Sequence, residues 1–371
     1  MSEYQCYEFI ALDRPLAAKQ LAALRAISKR AEISPTRFWN EYQWGDLKAD
    51  PAKLLERYFD AHLYFADWGT RRLMLRLPKA RVDVKALKTY LVGRHSVRVT
   101  AVDQHVVLDF SSDGEDVEYD EETPGSLGEL SQLRAELMRG DLRCAYLAWL
   151  LAVQAGDVDE DATEPPVPAG LAKLTAAQRA MVKLLRIDLD LLAAAVGGSV
   201  ERVESDAEFR GWVKSLSTAQ KDEWLQRAVV EPDLALGGEL LRVFRAKRRA
   251  GVAGGRRTVG ALRALAETRR AERMKVEVAR AKRARVIAEK AHKRRLDELG
   301  RDVGAAWAKL EQLIIASQYD EAMKLATDLK DLATRDSATR DFEMRFKAMR
   351  KRQLRRRGFF DRWKRRSEGA T

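Results

Sequence analysis

The stretch HLYFADWGTRRLMLRLP, residues 62–78, has two runs of apolar and aromatic residues on either side of Gly69. Runs of this length, separated by a short segment that contains glycine, are typical of β-strands joined by a turn. The stretch therefore predicts two neighbouring strands, HLYFADW and RRLMLRLP, in one sheet.

The residues before this pair predict further strands. CYEFIAL, residues 6–12, favours a strand, and TRFWNEYQW, residues 36–44, alternates strictly between two faces. We expect Phe38 and Trp44 on the buried face of the sheet. Trp39 falls on the opposite, more polar face, where it is a candidate for binding a protein partner.

Helices are predicted between and after these strands. The first begins around Pro15 and runs to Ala31, and the second has Asp50 as its N-cap and Pro51 at its first position. VDVKALKTYL predicts a third helix, and VRVTAVDQHVVLDF a hairpin or one long bent strand. These elements indicate a sheet with helices over one face.

The second part of the chain is predicted to be almost entirely helical. Leu, Ala and aromatic residues recur at steps of three and four from residue 126 onward, with Thr175 and Thr258 suited to cap helices. The predicted fold class is α+β: an N-terminal mixed sheet with helices, then a mainly α-helical half with one long basic helix and a C-terminal helical hairpin or three-helix bundle. The predicted domains are an α+β module (1–111), an acidic connector (112–125), a helical bundle region (126–250), the long basic helix (256–300) and a C-terminal helical hairpin with a basic tail (301–371).

Charge is divided unevenly along the 371 residues, whose net charge is +12. Residues 241–371 contain 38 Lys and Arg against 17 Asp and Glu, whereas residues 1–240 contain 30 against 39. Residues 111–122 place seven carboxylates in twelve positions, and residues 157–168 add five beside a proline cluster. Acidic blocks of this kind usually stay solvated, so both are predicted to be mobile connectors.

Several classes of protein are disfavoured by composition and motifs. No window approaches the roughly 18 apolar residues of a membrane span, and the first residues lack the layout of a signal peptide, so a cytoplasmic protein is expected. Cys6 and Cys144 have no CxxC partner and are expected to be buried thiols. The chain contains no GxxxxGK[ST], GxGxxG, HExxH or GxSxG motif and only four histidines. An enzyme is therefore not expected, and neither a cofactor nor a metal site is predicted.

One weak catalytic constellation remains in the N-terminal module. Asp60, His62 and Asp67 lie beside Arg71 and Arg72, a set that combines acid–base groups with an anion-binding guanidinium. A hydrogen-bonded histidine in the core is much the commoner outcome for such a pattern, so no catalytic residue is predicted.

The stretch ARAKRARVIAEKAHKRR, residues 279–295, holds eight Lys or Arg against one Glu and contains no helix breaker. It predicts a helix that is a braced strut, one wall of a coiled coil, or a phosphate-binding surface. Arg280, Arg283, Lys290 and Arg294 share one side, and other cations spread around the helix, which disfavours a strict coiled-coil wall. The predicted nucleic-acid-binding residues of the basic half are Arg245, Lys247, Arg248, Arg249, Arg256, Arg257, Lys282, Arg283, Lys293, Arg294, Arg295, Arg355, Arg356, Arg357, Lys364, Arg365 and Arg366.

The tail LRRRGFFDRWKRR, residues 354–366, sets Phe359, Phe360 and Trp363 among seven cations. Three interpretations stay open for these rings. In the first, the rings stack on single-stranded bases, and in the second they seat the tail in an anionic membrane surface. In the third, the rings cap the C-terminal bundle and the arginines are solvated.

The segments YEFIALDRPL, ISPTRFWNEYQWGDLKADP and RYFDAHLYFADWGTRRLMLRLP resemble the N-terminal region of a family of uncharacterised bacterial proteins of unknown function. The resemblance covers most of the chain and is specific in the first 80 residues. It implies a bacterial cytoplasmic protein whose N-terminal module is a defined unit, and it assigns no catalytic residue.

Two functions follow as hypotheses from the charge pattern. In the first, the protein binds DNA or RNA non-specifically through its basic half, while the N-terminal module engages a protein partner. In the second, it is a scaffold whose basic half docks on acidic protein surface, its own or that of another copy, with no role in nucleic-acid binding.

Overall fold

The computed structural model describes residues 4–114, 126–199, 205–231, 235–249, 257–353 and 356–368, and the predicted α+β class is confirmed. Its sheet has seven strands in the order β2-β3-β1-β4-β5-β7-β6, and neighbouring strands pair antiparallel. The strands are β1 (Gln5–Ile10), β2 (Glu32–Ile33), β3 (Arg37–Tyr42), β4 (Ala61–Ala66), β5 (Arg71–Pro78), β6 (Val97–Val102) and β7 (His105–Ser112).

The two strands predicted around Gly69 are β4 and β5, which pair at the centre of the sheet. Gly69 adopts a φ of +102°, a conformation that residues with a Cβ rarely adopt. A Cβ at this position would also lie 1.5 Å from the carbonyl oxygen of Gly114, so only glycine fits the turn.

Helices cover both faces of the sheet, so the expectation of helices over one face was wrong. Leu73, Leu75 and Leu77 of β5 face one hydrophobic cluster, whereas Met74 points into the other. Helices α1 (Ala18–Ile27) and α2 (Pro51–Tyr58) pack on the Met74 face. Helices α3 (Val84–Tyr90), α4 (Leu127–Leu130), α5 (Gln132–Met138) and α6 (Arg143–Gln154) pack on the opposite face.

Helix α6 lies at the centre of the larger core. Every side chain from 143 to 153 is buried, as expected for a helix that is apolar on all sides. It packs with α7 (Ala176–Leu184) and α8 (Leu189–Val196) in the cluster that also contains Leu73 of the sheet. The sheet and these helices therefore share one core, although the acidic segment separates them in sequence.

Three further helices complete this part of the chain: α9 (Asp206–Ser215), α10 (Thr218–Val230) and α11 (Leu236–Arg249). The rings of Phe209, Trp212 and Phe244 meet at centroid distances of 5.5–5.7 Å. This small aromatic cluster holds α9 against α11.

The second acidic segment, residues 157–164, is fixed in place, which corrects its prediction as a solvated connector. The Asp157 carboxylate accepts hydrogen bonds from the amides of His95 and Ser96. Glu164 is buried and accepts two hydrogen bonds of 2.8 Å from the Arg257 guanidinium, while Tyr146 donates a third. The other acidic segment lies mostly outside the described residues.

Two local predictions fail for physical reasons. Trp44 is 72% exposed because β3 ends at Tyr42 and a turn at Gly45, with φ of +87°, carries Trp44 away from the sheet. The first helix ends at Ile27, not at Ala31, because the chain turns there to form β2. Phe38 is fully buried, as predicted.

The chain divides into two compact units, Met1–Ala271 and Glu272–Thr371. Helix α12 (Val259–Arg301) begins in the first and ends in the second. The second unit also contains α13 (Val303–Ile315), α14 (Tyr319–Arg335), α15 (Thr339–Arg352) and α16 (Arg357–Glu368), which share one core. Thus the three helices predicted after residue 301 are joined by a fourth. Among the described helices, none combines the length and apolar character needed to cross a membrane.

Replacing Phe38 with Ala should lower the free energy of unfolding by roughly 3–5 kcal/mol, because a buried ring is lost and a cavity remains. The Trp44→Ala variant is the matched control and should change stability by less than about 0.5 kcal/mol, as surface substitutions do. Urea unfolding followed by circular dichroism measures both. Equal losses in the two variants would contradict the described end of β3.

Replacing Glu164 with Gln should cost roughly 3–5 kcal/mol, because it leaves the Arg257 guanidinium without its buried counter-charge. The Glu160→Gln variant removes a carboxylate that is 67% exposed and pairs with Arg263 at 3.0 Å. That exposed pair should contribute less than about 1 kcal/mol. Urea unfolding curves of the two variants provide the comparison, and similar midpoints would show that Glu164 is not a structural anchor.

Candidate nucleic-acid interface

Residues 272–291 of α12, which we call the bare stretch, form a helix in which every side chain is exposed. Its 20 residues extend about 30 Å at the usual rise of 1.5 Å per residue. The bare stretch contains much of the basic run identified in the sequence. A helix of this length normally buries an apolar face, so its full exposure sets it apart from the other long helices of the chain.

The cations at 280, 283, 290 and 294 lie within about 80° of one another around α12, at about 100° per residue. Leu299, which packs against the core of the second unit, and the buried Leu296 lie on the opposite side. Lys293 and Lys282 lie about 60° and 80° beyond Lys290, outside this cationic side. This basic face therefore points away from the core and is open to solvent.

Few of these cations are neutralised. Along the bare stretch Arg273 pairs with Glu277 at 3.2 Å, and Arg285 pairs with Glu289 at 2.9 Å. Within the described part of the chain, a further group of cations makes no hydrogen bond or ion pair. This group is Arg280, Lys282, Arg283, Lys290, Lys293 and Arg294. Their charge is available to an external anion.

Arg280 and Lys290 were not among the predicted nucleic-acid-binding residues, although the sequence analysis placed them on one side of the helix with Arg283 and Arg294. The signal that identifies them is their spacing, since positions 280, 283, 290 and 294 repeat at three, seven and four residues. That spacing places them on one side of a helix, which the local density of charge does not reveal.

Arg295 has a different environment from its neighbours. Its Nε atom lies 3.6 Å from the Asp328 carboxylate, and His292 lies between Asp328 and Asp331 at 3.7 and 3.3 Å. One ligand atom from each of His292, Asp328 and Asp331 lies within 4.8 Å of the others. The Arg295 guanidinium already supplies positive charge beside them, so we interpret the group as an ionic contact between α12 and α14.

The predicted site residues before α12 are largely committed to the fold. Arg245 donates to the carbonyl oxygen of Arg139 at 2.8 Å, and Arg248 pairs with Glu208 at 3.0 Å. Arg257 is held by Glu164 and the carbonyl oxygen of Ala194. Lys247 is exposed. The Arg249 side chain and Arg256 lie outside the described residues.

The tail residues of the prediction are divided between core and surface. Phe359 and Phe360 are buried in the core of the second unit, and the half-buried Trp363 lies 5.1 Å from the ring of Phe346. The tail rings therefore cap the bundle, and base stacking by Phe359 and Phe360 is not supported.

The cations of the tail differ in their exposure. Arg356 donates to the Ser317 hydroxyl at 3.0 Å. Arg357, Lys364, Arg365 and Arg366 are exposed on α16. Arg355 lies outside the described residues.

Trp39, the predicted partner-binding residue, is half-buried on β3 opposite Glu8 of β1. The Arg37 guanidinium lies 6.0 Å from the centre of its ring. The neighbouring thiol of Cys6 has its pKa raised to about 11 by burial, and burial raises the pKa of Cys144 as well. Cys144 is buried as predicted, whereas Cys6 is only half-buried, and both thiols are protonated at neutral pH.

The Asp60 and His62 pair is built into the core. The His62 ring stacks on Phe9 at 4.0 Å, and its Nδ1 atom donates to the carbonyl oxygen of Glu8 at 2.9 Å. Asp60 accepts from the amides of Leu12 and Asp13 and pairs with Arg76 at 2.8 Å. Both side chains are buried, and these partners give them a structural role.

Complete burial lowers the pKa of His62 to about 3. His62 is therefore protonated near pH 6.5 in the unfolded chain but only near pH 3 in the folded chain. The free energy of unfolding falls as the pH drops through this window. The loss approaches about 1.4 kcal/mol per pH unit for one proton. Replacing His62 with Gln should flatten the stability profile between pH 6.5 and 4.

Urea unfolding at several pH values measures this slope. The His95→Gln variant is the control, because His95 is exposed whereas His62 is fully buried. A His62→Gln profile parallel to that of the unmodified protein would contradict a neutral, buried His62.

Comparisons with protein-family models, with curated proteins and with solved structures find no match to this chain.

Proposed function

We propose that this protein binds nucleic acid non-specifically through the phosphate backbone, using the basic face of the bare stretch. The single observation that carries the proposal is the group of cations that, within the described part of the chain, have no side-chain partner, on a helix whose side chains are exposed along 20 residues. Each cation that neutralises a phosphate releases condensed counterions, so affinity arises without reading of bases. The sequence prediction of phosphate binding at Lys282, Arg283, Lys293 and Arg294 is retained in this proposal, and Arg280 and Lys290 are added.

The chemistry of the basic face favours a duplex over a single strand. Binding of single strands usually combines cations with aromatic side chains on which bases stack. The bare stretch contains no aromatic residue, and the rings of Phe359 and Phe360 are buried. A row of cations along one side of a helix instead matches the regular phosphates of a duplex, whether DNA or RNA.

A partner role for the N-terminal module belongs to the same proposal. Trp44 is 72% exposed and Trp68 is 47% exposed in the first unit. Exposed tryptophans are frequent anchors in protein interfaces, so we add Trp44 and Trp68 to Trp39 as candidate partner-binding residues. The proposed setting is the bacterial cytoplasm, and the proposed protein is a non-enzymatic factor.

A scaffold without a nucleic-acid role is the second candidate. The observation in its favour is that Met274, Val276, Val278 and Ile287 of the bare stretch are all more than half exposed. However, Met274 and Val278 lie on the opposite side of the helix from Val276 and Ile287. No single continuous seam results, which is why the nucleic-acid interface is preferred to a coiled coil.

The test is a binding titration of the full chain with a 20-base-pair duplex of DNA and one of RNA, between about 50 and 200 mM salt. We expect a steep decrease of affinity with salt. Replacing Lys282, Arg283, Lys293 and Arg294 with Gln should make the slope shallower by roughly 0.9 for each phosphate that the variant no longer neutralises. Circular dichroism should show an unchanged helix content, because Gln is also a good helix former.

A control variant removes four exposed cations elsewhere, by replacing Lys19, Lys48, Lys53 and Lys88 with Gln. It has the same net charge as the first variant and should bind the duplexes as the unmodified protein does. Equal losses in both variants would show that net charge alone determines binding. Binding to neither duplex at low salt would favour the scaffold.

A further inference from the structure

A groove of about 990 Å³ lies on the first unit. It runs between α7 and α8 and is bounded by the segment before α7 and by Arg269 of α12. Its floor is apolar and is formed by Leu171, Leu174, Val182, Ile187, Leu192 and Val196. A concave apolar surface of this size is large enough to receive side chains of another molecule.

The charged residues around the groove are all of one sign. They are Lys173, Arg179, Lys183, Arg186 and Arg269, and the described residues of the lining include no carboxylate. Asp188 and Asp190, at the start of α8, pair with Arg270. Among the described residues, the lining therefore combines cations with an apolar floor, and Lys173, Lys183 and Arg186 also interact with other parts of the chain.

Parts of this rim are held by the fold. The Arg179 guanidinium donates to the carbonyl oxygen of Leu174 at 2.6 Å, and the Arg186 guanidinium donates to that of Gly69. Fixed cations lose little conformational entropy when a ligand pairs with them. The rim is therefore organised in advance for an anionic occupant.

Leu189, at the first position of α8, is 67% exposed at the edge of the groove. A large apolar side chain is therefore exposed to water beside the positively charged residues of the groove. Exposed apolar surface rimmed by polar groups marks sites of protein interaction.

We propose that this groove docks an acidic amphipathic helix of another protein. The apolar residues of such a helix recur at steps of three and four and fill the floor, while its carboxylates reach the cations on either side. Because Arg179 and Arg269 come from different helices at the rim, an occupant needs separate carboxylates to reach both, which a single small anion lacks. A nucleic acid has no apolar face for the floor, so this surface is distinct from the basic face of the bare stretch.

The experiment selects 16-residue peptides from a random displayed library on the full chain. Enriched peptides are expected to combine Asp or Glu with apolar residues at helical spacing. Titration of synthetic copies should show at least a tenfold loss of affinity in the Arg179→Glu/Arg269→Glu variant. A second variant, Leu189→Asp, should weaken the same peptides, because it places a carboxylate at the apolar edge.

The control for unspecific attraction to the basic half is the variant in which Lys282, Arg283, Lys293 and Arg294 are replaced with Gln. Its affinity for the peptides should equal that of the unmodified protein. The proposal is overturned if no peptide is enriched, if the enriched peptides lack acidic residues, or if they bind the Arg179→Glu/Arg269→Glu variant equally well. It is also overturned if a synthetic peptide of residues 111–122 binds the groove more tightly than any selected peptide, which would make this chain its own ligand. A dimer that is lost in the double variant would instead identify a second copy as the occupant.

Discussion

The buried contact between Glu164 and Arg257 determines where the long helix begins. The Glu164 carboxylate accepts from the Arg257 guanidinium and from the Tyr146 hydroxyl, and the same guanidinium reaches the carbonyl oxygen of Ala194. Burial and the adjacent carboxylate raise the pKa of Tyr146, so its hydroxyl remains a donor. The contact between Glu164 and Arg257 therefore joins α6, the second acidic segment, the end of α8 and the residues just before α12. Val259, at the start of α12, lies in the same core immediately after it.

This contact also explains part of the charge asymmetry. Carboxylates of the first unit hold cations near the start of α12, as in the pairs of Glu160 with Arg263 and of Asp188 with Arg270. The acidic and basic parts of the sequence are therefore matched where α12 leaves the first core. The basic face of the bare stretch has no comparable partner among the described residues. Its charge is thus a surplus beyond what the fold requires.

Much of the fold could be predicted because the signals are local. The hairpin around Gly69 and the cap of α2 by Asp50 with Pro51 depend on residues adjacent in sequence, and both are confirmed. Trp44 was misplaced because alternation does not show where a strand ends. The groove beside α8 was not predictable, since its floor and its cationic rim come from segments that only the tertiary fold brings together.

The bare stretch is a helix under internal repulsion. Its i, i+4 pairs of Arg273 with Glu277 and of Arg285 with Glu289 contribute only about 0.3–0.5 kcal/mol each. Lys290 and Arg294 face each other as like charges at the same spacing, which costs a similar amount. Without a packed face, the helix relies on its residue composition and on anchored flanks, where Ala266 and Leu296 are buried. A polyanion along the basic face would remove the repulsion between its cations, so binding and helix stability are coupled through the same side chains.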